Sequence, residues 1–220
     1  MISELNAGNK EASEAVTINN WKLCTRWLRK KYQDADPNLW ICISGFRGKE
    51  QVHYANQVRN LHYAVEAAFN HNEYKWDMYY GVGLGADRPP QYHRFKTEDI
   101  VYFPFAYLDI DCGKTKTPAN QPVALQAIQN MPDGMKPTWI NSSGNGFHIY
   151  YPIKNPNIRN EGERKILQTV SFRLQDRIKG YFMKHYGWEF DNVSDLARVD
   201  RLPLSINWKD KNGKTGGIIK

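Results

Sequence analysis

The sequence predicts a mixed α/β (α+β) protein, and three observations carry that reading. Short β-forming apolar runs alternate along the chain with longer stretches of helical periodicity. The 220 residues allow one substantial core, or at most two small ones. No apolar run reaches the roughly 18 residues that span a bilayer. The opening "MISELNAGNKEASEAV" lacks the order of a signal peptide and reads as a flexible polar segment. The expectation is a soluble, intracellular (cytoplasmic) chain with a flexible segment over 1–17 and one domain over 18–220.

In chain order, "INNWKLCTRWLRKKY" (18–32) places apolar residues at helical spacing among basic ones and predicts an amphipathic helix. "LWICISGF" (39–46) is a short apolar β-former run, hence a strand. Residues 51–71 read as a helix. "WDMYYGVGLG" (76–85) reads as a strand entering a glycine-rich loop, and "ADRPPQYHRFKTEDI" (86–100) as a loop with basic residues. "YFPFAYLDID" (102–111) predicts a strand and "PVALQAIQNM" (122–131) a helix. "PTWINSSGNGFHIYYPI" (137–153) predicts two strands around an Asn145-Gly146 turn. A long helical pattern covers 158–186 and gives out before Gly187. "WEFD" (188–191) reads as a short strand, and 202–217 as a hairpin around Asn212-Gly213.

Three scattered cysteines, with no C-x-x-C pair, suggest neither a zinc module nor a disulfide framework. The net charge of +7, with 13 tyrosines, 9 phenylalanines and 7 tryptophans, suits a polyanionic partner, since cations meet phosphates and aromatics stack on bases.

Three patches carry candidate chemistry. Strand alternation puts Asp109 and Asp111 on one face and Leu108 and Ile110 on the other. The two carboxylates then lie roughly 7 Å apart along the strand. Such a pair suits a hard cation such as Mg²⁺, which fills its shell with water and phosphate oxygens; it also reads as a strand simply ending in a turn. "SSGNGFHIYY" (142–151) is a plain hairpin, or a loop in which Ser143, Gly144, Asn145 and Gly146 offer N–H groups to phosphate while His148 faces away from the apolar side. "EFDNVSDLARVDRLPLSINWK" (189–209) is a solvated loop, or the source of a third carboxylate (Asp191, with Asp195 as runner-up) and of Arg198, Arg201 and Lys209 as phosphate-binding cations. Asp200 reads as pairing with a neighbouring arginine.

Taken in this order, "YLDIDCG", "SSGNGFHIYY" and "FDNVSDLARVDRLPLSINWK" resemble the archaeo-eukaryotic primase (AEP) superfamily. The nearest likeness is to primase-polymerases of phages, plasmids and CRISPR-associated elements. The resemblance spans about 105–209. It implies an RRM-like catalytic sheet packed against a smaller α/β subdomain, with a helical N-terminal region. It also implies template-directed synthesis from NTPs or dNTPs, with two Mg²⁺ or Mn²⁺ ions as cofactors. Asp109, Asp111 and Asp191 match the metal-binding carboxylates. His148, with Ser143 and Gly144 beside it, matches the nucleotide-phosphate site, and Arg198, Arg201 and Lys209 match basic positions that hold nucleotide or template. The implied partners are single-stranded DNA template, a primer strand and a helicase or accessory priming region in the same or another chain. One departure is Leu204, where relatives carry glycine.

Template contacts are expected from Arg47, Lys49, Arg88, Arg94 and Lys96. The rival readings are a non-catalytic single-stranded nucleic-acid-binding module on an RRM-like sheet, and a metal-dependent nuclease.

Overall fold

The computed structural model describes residues 20–209 and 213–219. The segment 1–17, the start of the first expected helix and Asn212 of the last expected turn lie outside the described residues. The chain folds into a mixed α/β structure with curled antiparallel sheets and, among the described residues, four α-helices.

Helix α1 runs over 20–31. Strand β1 (Trp40–Arg47) follows and turns at Gly48, which adopts φ 61°, into β2 (Glu50–Gln57). Helix α2 spans Leu61–Glu73, β3 Asp77–Gly81, β4 Leu84–Gly85 and β5 Ile100–Tyr102. These strands, with β9 (Val199–Arg201), form the first sheet, in which β2, β3 and β4 all pair with β1 and β9 pairs with β3. The second sheet orders β12 (Gly217–Ile218), β7 (Trp139–Ser142), β8 (Gly146–Pro152) and β6 (Phe105–Asp111). Helix α3 (Gln121–Gln129) starts on an Asn120 cap. Helix α4 (Glu161–Tyr186) starts on an Asn160 cap and stops at Gly187, at φ 68°. A last hairpin pairs β10 (Ile206–Asn207) with β11 (Lys214–Thr215).

Four expectations are corrected. Residues 50–57 are strand, not helix: the tight turn at Gly48 folds them back along the full length of β1, in register from Trp40↔Gln57 to Arg47↔Glu50. The run 102–111 is two strands, because Phe103 bonds to the Pro156 carbonyl and Pro104 has no N–H to give a ladder. Here the chain crosses from the first sheet to the second. Residues 188–191 form no strand; the Trp188 and Phe190 rings pack on Phe182 of α4, with centroids at 5.8 and 5.5 Å. The β7–β8 turn falls at 143–145 with Gly144 at φ 92°, and Gly146 lies inside β8.

Two apolar clusters organise the molecule. One face of the second sheet supplies Leu108, Ile110, Phe147 and Ile149, which pack against Ala127 and Ile128 of α3 and Ile178 and Phe182 of α4. The opposite face supplies Phe105, Tyr107 and Tyr150 to a larger cluster with the first sheet, α1 and α2. This face continues past Tyr107 to Asp109 and Asp111, where the sheets part.

Gly146 is fixed by packing: a Cβ there would lie 2.0 Å from the Ile110 carbonyl oxygen on β6. Gly146→Ala is expected to destabilise by about 1–3 kcal/mol as the strands move apart. Gly180, exposed in α4 with nothing within 4 Å of a Cβ, should when changed to Ala gain about 0.5–1 kcal/mol. Denaturant melts of the two variants check both signs.

Candidate active site

The sheets diverge around a cleft of about 710 Å³, lined by Asp109, Asp111, Ser143, Asn145, His148, Asp191, Asp195, Arg198, Arg201 and Lys209 among others. The sequence-predicted residues thus converge, apart from Gly144 and Gly146. Those two serve packing: a Cβ on Gly144 would meet the Lys214 carbonyl at 3.0 Å. The N–H groups of Ser143 and Gly144 donate to the Gly146 carbonyl and Ser142 Oγ, so they form no open phosphate cradle. The hairpin β10–β11 clamps this loop through Asn207 Nδ2 on the Ser143 carbonyl (3.1 Å) and Lys214 Nζ on Asn145 Oδ1 (2.9 Å).

Asp109 and Asp111 share the cleft face of β6 and are each a little over a third exposed. Lys114 Nζ sits 2.5 Å from Asp111 Oδ2, and His148 Nε2 3.4 Å from Asp109 Oδ1. Protein cations therefore answer part of the pair's repulsion. Asp191 reaches the same floor from an irregular segment held by Glu189, whose N–H bonds the Lys116 carbonyl at 2.8 Å. Asp195 stands farther out, its Oδ1 accepting from Thr97 Oγ1 and the Ala197 N–H. Among the described residues, no three Asp, Glu, His or Cys side chains close into a preformed metal cluster. The oxygen-only, half-open donor set fits a divalent ion of the Mg²⁺ kind, which keeps several waters and takes one or two protein carboxylates.

The cations differ in their commitments. Arg201, buried, donates to Asp77 Oδ1 (2.9 Å) and the Tyr79 hydroxyl (2.8 Å), so its guanidinium is largely engaged within the wall. Arg198 and Lys209 are exposed on the cleft. Of the five basic residues expected on the template, Arg94 alone lines the cleft and Arg94 and Lys96 an adjoining groove, whereas Arg47 pairs with Glu50 at 2.7 Å. Leu204 keeps the turn usual for glycine by adopting φ 67°, at a cost of about 1–2 kcal/mol. That turn carries Asn207 and Lys209 to the cleft.

Beneath the floor lies a feature that sequence reasoning missed. Asp200 pairs with no arginine. Fully buried, it meets His148 Nδ1 and accepts from the hydroxyls of Tyr150 and, at 3.1 Å, Tyr80. Lys31, also buried, donates to the Tyr80 hydroxyl at 3.1 Å and lies over the Trp27 ring. Period-2 alternation in "RVDRL" does place Asp200 on the face opposite Arg201, which is a sequence signal that bears on it.

With this geometry, known folds can be compared. No family model matches the chain, and no curated protein sequence matches it. Two solved structures do. The catalytic domain of primase RepB′ in complex with initiator DNA aligns over 90% of this chain and 84% of its own, with TM-score 0.52 and 11% identity. Primase RepB′ aligns over 90% of this chain with TM-score 0.51 and 11% identity. This chain spans 56% of that second one. The fold is similar to that of a primase catalytic domain. No described helix is long and apolar enough to cross a membrane.

Within this primase-like fold, burial would lower the pKa of His148. The Asp200 and Asp109 carboxylates outweigh it and push the group up to about 10. Asp200 stays below its usual range although burial opposes this, because His148 and Lys31 stand beside it. Burial holds Lys31 well below the usual lysine value. The folded value of His148 lies above its ordinary 6.5. The stabilisation from its ion pairs is therefore complete below pH ~6.5 and lost as pH rises through about 10. The stability difference between the native chain and His148→Gln, from denaturant melts across pH 6–10.5, should shrink as pH rises.

Proposed function

We propose that the chain is a template-directed nucleotidyltransferase of the primase-polymerase kind, related to the archaeo-eukaryotic primases. In this reading it makes and extends primers from NTPs or dNTPs in the replication of a mobile element. The observation that carries the reading is one cleft, in a primase-like fold, with Asp109, Asp111 and Asp191 on its floor and His148, Arg198 and Lys209 around them. Asp191 is preferred to Asp195 as the third carboxylate. It shares the smaller cavity over the pair, from which Asp195 is absent, and Asp195 Oδ1 is already engaged.

Asp109, Asp111 and Asp191 would hold two Mg²⁺ or Mn²⁺ ions. When bound, such ions activate an attacking hydroxyl and neutralise a departing pyrophosphate. The chain's own residues bind and orient. His148, Arg198 and Lys209 present positive charge to a triphosphate, and Ser143 and Asn145 line its path. Arg94 joins the cleft to a groove lined by Tyr92, His93 and Lys96, whose cations and exposed aromatic suit a single-stranded DNA template. The RepB′ catalytic domain crystallised with initiator DNA, which supports a nucleic-acid partner. A primer strand, and a helicase or accessory region, complete the expected partners.

The test is synthesis on single-stranded DNA without added primer, comparing NTPs and dNTPs. Asp109→Ala and Asp111→Ala should each lower incorporation at least about 100-fold while the melting transition persists. His148→Ala should raise the nucleotide KM more than the template Kd. Template binding that needs no divalent ion, with no incorporation by the native chain, would instead indicate the non-catalytic binding module.

A further inference from the structure

The structure assigns to Asp200 the role of positioning residue for His148. This rests on the reading of His148 as a nucleotide-binding group, and names what aims it.

The placement follows from register. β9 pairs with β3 so that Asp200 stands opposite Tyr80. On β8, His148 and Tyr150 are two residues apart and so share a face, turned toward the first sheet. Asp200 lies between them with no exposed side-chain surface. Its Oδ1 meets His148 Nδ1, and its Oδ2 accepts from the Tyr150 and Tyr80 hydroxyls. Both oxygens are thus engaged by groups from β3 and β8, and the carboxylate cannot turn without losing one of them.

The imidazole is confined in turn. With Nδ1 on Asp200, Nε2 is the nitrogen left to face the cleft, 3.4 Å from Asp109 Oδ1. The Tyr107 ring stands edge-on at 6.3 Å and stacks on Tyr150 at 5.9 Å, which walls the ring on another side. Tyr80 is itself held by Lys31. A chain of contacts therefore runs from α1 through Tyr80 and Asp200 to His148. It presents one imidazole N–H, in one direction, at the edge of the carboxylate floor. A histidine whose second nitrogen is anchored by a carboxylate keeps its orientation and its proton distribution. Asp200 itself lies behind the imidazole, with its side chain fully buried.

The experiment uses the full chain, Asp200→Asn, His148→Ala, the double variant and Tyr80→Phe. Without nucleotide, the native chain should show a low-field imidazole N–H proton resonance that is lost in His148→Ala and in Asp200→Asn. In the synthesis assay, Asp200→Asn should raise the nucleotide KM about tenfold with a smaller change in kcat. It should add nothing in the His148→Ala background, and template Kd should hold in each. Should Asp200→Asn fail to fold, Tyr80→Phe, which keeps the carboxylate but removes one hold on it, should raise the KM about twofold to fivefold, again only where His148 is present. A resonance that persists in Asp200→Asn, or a KM effect undiminished without His148, overturns the assignment. A native chain that shows the resonance yet binds no nucleotide overturns the proposed function instead and leaves the orienting contact standing.

Discussion

A carboxylate sealed between two sheets sets the terms for the rest of this molecule. An ionised Asp200 with no exposed surface would be strongly unfavourable alone, and removing one partner from such a pair costs about 3–5 kcal/mol. Its partners therefore have to arrive together: His148 and Tyr150 from β8, Tyr80 from β3 and, one contact further, Lys31 from α1. The two sheets share no strand, so this polar knot fixes how they sit. An apolar cluster alone tolerates sliding; a carboxylate with both oxygens engaged does not. Replacing such a buried pair by well-packed hydrophobic groups is often neutral or stabilising, so its worth lies in geometry more than in stability.

The cleft's electrostatics build outward from that knot. Asp109 and Asp111 repel, and His148 and Lys114 offset the repulsion from two sides. Asp191 adds a third negative charge, while Arg198, Lys209 and Arg94 stand around the rim. A negative floor inside a positive rim is poor for a bare polyanion and good for one that brings divalent ions with it. The net charge of +7 acts at longer range, raising encounter rates with a polyanion in a salt-dependent way.

Much of this was legible in the sequence because local rules governed it. In β6, strict alternation sent Leu108 and Ile110 into the α3–α4 cluster and both aspartates to the cleft. Gly187, in the left-handed region, ended α4 where its periodicity failed. What escaped was decided at a distance. Residues 50–57 carry apolar and polar groups at spacings either period fits, and pairing along all of β1 settled the matter. Asp191 reaches the floor because aromatic rings anchor the segment before it, rather than because a strand delivers it. Lys31, not singled out in the sequence, falls at helical spacing with Trp27 and Leu28 and is buried with them, among the rings of Trp27, Phe105 and Tyr150, which offer a cation a favourable surface. Asp200 reads as bound to a neighbouring arginine, but Arg201, adjacent on β9, points to the other face and bonds Asp77 and Tyr79, and the partner of Asp200 comes from β8.

That same alternation explains why the site sits where it does. One face of β6 reads Phe105, Tyr107, Asp109, Asp111, and the facing positions of β8 read Pro152, Tyr150, His148, Gly146. The aromatic end is buried between the sheets; the charged end meets water. The change falls between Tyr107 and Asp109, the level at which Asp200 holds His148. Moving the carboxylates one pair inward would bury them without solvent. Moving them one pair outward would part them from the histidine, and Gly146, pressed against the Ile110 carbonyl, leaves no room there for another side chain. The position of Asp109 is therefore fixed from both ends of the strand.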